Sequence, residues 1–382
     1  MKTTNLLLVL IFTLSFHYVQ AQDETETYPI TISGSVDAYY RANLTAPNKG
    51  DFAPAPGTSF ANLPGFALGM ANLVASYEGE KVGFVADLVF GPRGADAVFL
   101  STGSANIVNQ LYMYWKPGDR LTFTIGNFNT YLGYEVISPT GNFNYSTSYM
   151  FSSGPFSHTG LKADFELTEN WSLMAAVMNP TDYTEFNPLG TYSAGLQLGY
   201  ENDNGGTWLN FLYGDQDGKL DEDQGLVSGE TSAGTTFQVD LTTGYNATEA
   251  LYLGLNATYL TTSAGELYNG TTIVGASGDA AGFYGIAGYA QASTSEKLAL
   301  GARIEYFSVF NEGGSAITTD PSNGDGNVLA FTLSGNIKPA KNLTLIPELR
   351  LDTASEDSNF INRSLNPSKS LSSFLLAAVF SF

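Results

Sequence analysis

One histidine, His158 in the stretch FSHTG, remains once residues 1–21 are set aside. Any serine or threonine nucleophile activated by an imidazole would have to use it. The chain has 382 residues and no cysteine, so thiol chemistry is excluded, and a lone histidine makes a poor zinc site. The reading therefore assigns no catalytic residue, no metal and no cofactor, and treats His158 as a hydrogen-bonding rim residue. The stretch DQDGKLDEDQG (215–225) packs five carboxylates into nine residues and opens like a calcium loop. It lacks the closing glutamate at the twelfth position. A solvated acidic loop is the expectation, with weak divalent-cation binding and a bridge to anionic lipopolysaccharide as the alternative. Gly282, Gly285 and Gly288 precede no helical pattern, so they are read as relieving crowding or bending a sheet rather than cradling a nucleotide.

More informative are charged and polar residues that recur at every second position among apolar ones. Asp37, Tyr39, Arg41, Asp87, Lys162, Asp164, Asp240, Arg303, Glu305, Glu348, Arg350 and Asp352 behave this way, as do Gln197, Asn210, Gln238 and Asn256. In LALGARIEYFSVF (298–310), Leu298, Leu300, Ala302, Ile304 and Tyr306 share one face while Gly301, Arg303 and Glu305 occupy the other. In LTLIPELRLD (343–352), four leucines oppose Glu348, Arg350 and Asp352. That is the period of a strand with two chemically different faces.

Sixteen such segments follow one another: 30–42, 66–78, 81–91, 108–116, 120–127, 157–168, 171–179, 191–201, 206–215, 233–246, 250–261, 278–292, 297–310, 325–337, 342–353 and 371–382. Seven connections are tight and eight are long, in strict alternation beginning and ending with a long one. Antiparallel neighbours joined by turns at one end and loops at the other make an up-and-down sheet. Sixteen open strands would leave aggregation-prone edges, and closure removes them. An even strand count with both chain ends on the short-turn side is the pattern of a transmembrane β-barrel, with long loops outside and short turns on the periplasmic side. A soluble sandwich or propeller would alternate too, but neither requires the short–long rhythm, and no propeller repeat is present. Segments 66–78 and 108–116 have ambiguous parity.

The apolar faces, with Tyr77, Trp115, Trp171, Tyr200 and Tyr306 near strand ends, suit lipid and an aromatic girdle. A charge facing lipid near the midplane costs about 2–4 kcal/mol, so the twelve charged and tyrosine positions above are expected inside, lining water in a barrel too wide to fill with side chains. The connector 127–156 is the longest. It is rich in Tyr, Phe, Asn and Ser, with Glu135 as its one charge. Such a composition suits packing inside the lumen, where Tyr131, Tyr134, Glu135, Asn142 and Tyr145 would form a constriction. A lid packed on neighbouring loops is the alternative.

The first residues carry Lys2, an apolar run LLLVLIFTLSF and the cleavage-site pattern VQA, predicting a signal peptide over 1–21 and a barrel over 22–382. Export and lipid as partner place the chain in the bacterial outer membrane. With 16 basic against 37 acidic residues and a net charge of −21, nucleic acid is excluded as a partner. The chain ends LSSFLLAAVFSF, an alternating strand closing on Phe382, the kind of terminus that barrel-assembly machinery recognises. A homotrimer is compatible with sixteen strands.

Three stretches carry a family resemblance: SGSVDAYYRAN, GFVADLVFGPRGADA, and GNFNTYLGYEVISPTGNFNYSTSYMF followed by PFSHTG. Together they resemble the putative β-barrel porin-2, OmpL-like family, over residues 33–180. The resemblance implies a pore without naming a cargo. The functional expectation is an outer-membrane porin passing small hydrophilic solutes through a water-filled barrel, with mild cation preference because carboxylates outnumber arginines on the inner face. A substrate-specific channel, for instance for oligosaccharides, and a plugged surface-binding barrel are the rival readings.

Overall fold

The structure, a computed structural model, describes residues 29–49, 52–216, 235–263, 267–268, 272–273 and 280–382. The predicted signal peptide and most of the acidic stretch 215–225 lie outside the described residues. Sixteen antiparallel strands close into a barrel in sequence order. They are β1 (Thr31–Asn43), β2 (Gly65–Glu78), β3 (Val82–Phe90), β4 (Val108–Gly118), β5 (Leu121–Asn129), β6 (Ser157–Glu166), β7 (Trp171–Met178) and β8 (Ser193–Asn202). The second half comprises β9 (Gly205–Asp215), β10 (Thr235–Asn246), β11 (Leu251–Thr262) and β12 (Ala281–Ser295). It ends with β13 (Leu298–Phe310), β14 (Gly326–Ala340), β15 (Leu343–Ala354) and β16 (Ser370–Ser381). Every predicted segment is a strand, with ends shifted by a few residues; β5 extends to Asn129, so the third long connection starts at Thr130.

Closure joins β1 to β16, Ser35 opposite Ser381 through Asn43 opposite Ser373. The Phe382 N–H donates to the Gly34 carbonyl at 3.0 Å, and the Gly34 N–H returns the bond at 3.1 Å. The terminal phenylalanine is thereby held in a paired strand. Along each strand the apolar face is exposed: Leu300, Ile304 and Tyr306 on β13, Leu329, Phe331 and Leu333 on β14, Leu349 and Leu351 on β15. No water reaches a barrel's outer wall in a bilayer, so an uninterrupted backbone ladder with an apolar exterior is the form that lipid tolerates.

The two segments of ambiguous parity have a common cause. Val36 pairs with Ala71 but Ala38 pairs with Leu68, so β2 carries a bulge at Gly69 and Met70. Before it Phe66 and Leu68 face outward; after it Leu73 does. In β4 the pairing steps from Asp87–Gln110 to Leu88–Val108, which turns both Asn109 and Gln110 toward Asp87. A bulge adds one residue and inverts the alternation beyond it.

Candidate functional site

The third long connection, L3 (130–156), enters the barrel and is clamped by its inner wall. Glu135 pairs with Arg303 of β13, and Arg303 also donates to the carbonyls of Ser146 at 2.8 Å and Thr147 at 3.2 Å and to Thr332 Oγ1 at 3.1 Å. Arg350 of β15 pairs with Asp352 at 2.9 Å and donates to the Thr147 carbonyl at 2.8 Å. Glu348 accepts the Tyr145 N–H at 2.9 Å and the Ser334 hydroxyl at 3.0 Å. From β1, Asp37 accepts the Tyr145 hydroxyl and the Met70 N–H. From β10, Asp240 accepts the Gly133 N–H at 2.9 Å. Because these partners come from β1, β10, β13, β14 and β15, L3 crosses the lumen from its root between β5 and β6.

A short helix in L3, α1 (Tyr149–Ser153), is built by this clamp. Ser148 caps it by accepting the Phe151 N–H, while Glu305 of β13 accepts the N–H groups of Tyr149 and Met150 at 2.9 and 2.8 Å. The first-turn N–H groups that a helix leaves unsatisfied are thus met by a wall carboxylate. Glu135 takes the Ser148 N–H at 2.6 Å, so one carboxylate holds both Arg303 and the helix cap.

The wall also gives L3 room. A Cβ built on Gly254 would stand 2.6 Å from Tyr134 Oη, one on Gly195 would stand 2.6 Å from Tyr131 Oη, and one on Gly301 would overlap the Phe143 ring. Gly285, earlier read as relieving crowding within a sheet, faces Met150 of L3 at 2.6 Å by the same construction. Inner-face glycines are therefore seats for L3 side chains. Tyr134 stacks on Tyr289 of β12 at 4.1 Å between centroids, and the Tyr131 hydroxyl donates to the Phe211 carbonyl at 2.7 Å.

The expectation that all twelve predicted residues meet water needs correction. Asp37, Tyr39, Arg41, Asp87, Asp240, Arg303, Glu305, Glu348, Arg350 and Asp352 are all at most 5 % exposed. L3 covers most of them. Arg41 donates to Asn43 Oδ1 of its own strand at 2.9 Å and to the Pro54 carbonyl of the first long connection at 3.1 Å, and Tyr39 accepts the Leu63 N–H at 3.0 Å. Asp87 is enclosed by the amides of Asn72, Asn109 and Gln110. Lys162 and Asp164 alone of the twelve keep substantial exposure, pairing at 3.0 Å with side chains 26 % and 39 % exposed. Among the constriction residues, Glu135, Tyr131, Tyr134 and Tyr145 contact the wall, whereas Asn142 clips L3 to itself through the N–H and carbonyl of Val136.

Sequence reasoning missed Arg93, in the second long connection. It is 2 % exposed, donates to the Ile137 carbonyl at 2.8 Å and the Tyr145 carbonyl at 3.1 Å, and lies 4.4 Å over the Phe60 ring. An arginine in GPRGADA, the segment that contributed to the resemblance, was the available signal. His158 is fully buried on β6, with Nε2 2.9 Å from Thr130 Oγ1, 5.2 Å from the Tyr131 ring and 6.2 Å from Phe128. It sits beneath the root of L3 rather than at a rim; the Thr130 hydroxyl is its polar partner, and no carboxylate is among its described contacts.

Water-accessible space remains on both sides of L3. On the short-turn side a cavity of about 910 Å³ is bounded by Glu78, Glu80, Lys116, Lys162 and Asp164, with Tyr112, Tyr114, Phe128 and Tyr131. A second, of about 350 Å³, lies between Tyr134, Asn144, Trp208, Tyr252 and Tyr289. On the long-loop side a cavity of about 540 Å³ is bounded by Asp96, Asp182, Ser152, Gly154 and Phe156. Asp182 sits at φ +67°, and its carboxylate accepts the N–H groups of Phe156 and Ser157 at 2.7 and 3.0 Å. Burial pushes this carboxyl up to about 6.

The sequence pattern of the putative β-barrel porin-2, OmpL-like family matches residues 29–382, well beyond the stretches that first suggested it. No curated protein matches the chain. Among solved structures, an anion-selective porin from Comamonas acidovorans superposes with a TM-score of 0.59 at 12% identity, covering 93% of this chain and 99% of that one. The outer membrane channel DcaP of Acinetobacter baumannii gives 0.57 at 12% identity, over 92% and 97%. The outer membrane protein OmpT of Vibrio cholerae, in its trimer form, gives 0.56 at 13% identity, over 93% and 99%. At these identities the likeness is one of fold.

Proposed function

The chain belongs to the putative β-barrel porin-2, OmpL-like family and is an outer-membrane porin barrel; from that premise we propose that it passes small hydrophilic solutes by passive diffusion, with mild preference for cations. The observation that carries the reading is L3 laid across a closed sixteen-stranded lumen, with polar cavities on both of its sides. The basis for cation preference shifts from the inner-wall list to the residues still facing water. On the short-turn side Glu78, Glu80 and Asp164 outnumber Lys116 and Lys162 in one cavity while Lys297 and Lys338 outnumber Glu296 in its neighbour, so the surplus of acids rests on Asp96 and Asp182, which bound the outer cavity without a basic neighbour in its lining. Arg303 and Arg350, paired with Glu135 and Asp352, are neutralised locally and contribute little to the field that an ion meets.

The same reading takes membrane lipid and lipopolysaccharide as the surroundings, residues 1–21 as the export signal, and Phe382 as the contact for the assembly machinery. A homotrimer is proposed on the strand number and on the trimer form of the Vibrio cholerae neighbour. Liposomes carrying the refolded barrel should swell in small polyols and amino acids at rates that fall with solute size. Rates equal to those of empty liposomes would defeat diffusion. A substrate-specific channel is the second reading, favoured by the four aromatic rings around the short-turn cavity. It requires saturable uptake and competition between solutes, where simple diffusion gives neither.

A further inference from the structure

Between the outer cavity and those on the short-turn side lies a much smaller one, of about 10 Å³. It shares Gly154 with the outer cavity. Its floor is Leu132 and Gly133 of L3, whose chain neighbours Tyr131 and Tyr134 bound the inner cavities. The small cavity thus adjoins the outer one, and L3 residues 131–134 stand between it and the inner cavities. A volume of this size holds about one water molecule.

The wall at this point is Gln238 and Asp240 of β10, with Asn256 and Thr258 of β11. Gln238 is 3 % exposed; its amide nitrogen donates to Thr258 Oγ1 at 3.2 Å, and its Oε1 has no hydrogen-bond partner. A buried carbonyl oxygen without a donor is costly unless something electropositive fills the space before it. Asp240 accepts from the Gly133 N–H, from the Asn210 and Asn256 amides at 2.9 and 2.6 Å, and from Thr242 at 3.0 Å. Every one of these donors is neutral. Glu135, Asp352 and Asp164 each have an arginine or lysine partner, but among the described residues Asp240 has none.

On the diffusion-channel reading proposed above, we infer that Gln238 and Asp240, closed over by Gly133, are the narrowest point of the passage and hold a small inorganic cation there. Asp240 supplies the charge and Gln238 Oε1 an oxygen that replaces part of the ion's water shell. Gly133 takes φ +87°, a left-handed conformation that turns L3 so that its N–H reaches Asp240. Ions pass this point singly, and larger solutes pass only when the Gly133 hydrogen bond opens. Of the wall residues predicted for that role, Asp240 then sets the sign of selectivity, while Arg303, Glu305, Glu348 and Arg350 act as anchors for L3.

The test compares reversal potentials in a potassium chloride gradient for the wild-type barrel, Asp240→Asn and Gln238→Glu, each shown to be folded by its heat-modifiable gel mobility. Asp240→Asn should lower the potassium-to-chloride permeability ratio roughly thirty-fold, because a unit charge at about 4 Å through water favours one ion and disfavours the other about six-fold each. Gln238→Glu should raise it, and decides the matter alone if Asp240→Asn does not fold. Open channels with the wild-type ratio in the folded variants would overturn the inference while leaving the porin reading standing. A wild-type barrel that folds and never conducts would overturn that reading itself.

Discussion

Replacing Arg303 with methionine removes the cationic end of the Glu135 pair while keeping a long, unbranched side chain in a fully buried position. The guanidinium makes a charge-assisted bond to Glu135 and further bonds to Ser146 O, Thr147 O and Thr332 Oγ1. Removing one partner of a buried pair costs about 3–5 kcal/mol, because the other charge is left without compensation. The barrel ladder is untouched, so the cost falls on the docked state of L3. Each 1.4 kcal/mol is tenfold in population, so undocked L3 should become about two to four orders of magnitude more frequent. Amide hydrogen exchange reads this directly. The Ser148, Tyr149 and Met150 N–H groups, which donate to Glu135 and Glu305, should exchange faster by that factor, while strand amides keep their protection. Adding Glu135→Gln should recover part of the loss, since the unpaired carboxylate is gone. Unchanged exchange in L3, or a uniform rise across the strands, would refute the latch.

Gly301→Val and Gly254→Val fill the seats of Phe143 and Tyr134; overpacking of about 1–3 kcal/mol should displace L3 and raise mean single-channel current, with barrel melting little changed. Asp182 should make loop stability pH-dependent. Its folded-state pKa is raised from an unfolded value of about 3.9, so its contribution is fully present below about 4 and is lost as pH rises through about 6, a change of about 2–3 kcal/mol. Asp182→Asn keeps the acceptor for Phe156 and Ser157, and limited proteolysis of the loops should then lose this pH dependence. Lys162→Ala should alter stability by less than about 1 kcal/mol, because its pair with Asp164 is partly solvated, yet increase cation preference in a salt gradient. Phe382→Ser should slow refolding into lipid vesicles, since it disturbs the strand that pairs with β1.

The barrel was legible because lipid and closure impose a two-residue period on every strand and a length rhythm on every connection. Nothing soluble needs both. Facing was legible except at Gly69–Met70 and Asn109–Gln110, where a bulge breaks the parity that the pattern relies on. The expectation that L3 enters the lumen rested on its near lack of charge. What alternation could not reveal is what stands on the inner face. Arg303 and Glu305 on β13 give the same pattern whether water or a loop covers them. Gly254 and Gly301 looked like ordinary strand glycines until Tyr134 and Phe143 were seen to occupy the space of their missing side chains. Gln238 and Asp240 were recognised as inner-wall residues, but their place opposite Gly133 depends on the path of L3, which no local pattern encodes.

The central claim is that L3 narrows, and does not seal, a cation-preferring pore. Single-channel recording of the refolded protein in a planar bilayer, with the reversal potential taken in a salt gradient, tests it most directly. Steady open steps of small amplitude and a reversal potential of cation-selective sign are expected. A correctly folded barrel that leaves the bilayer silent, or conducts with anion-selective sign, would contradict it.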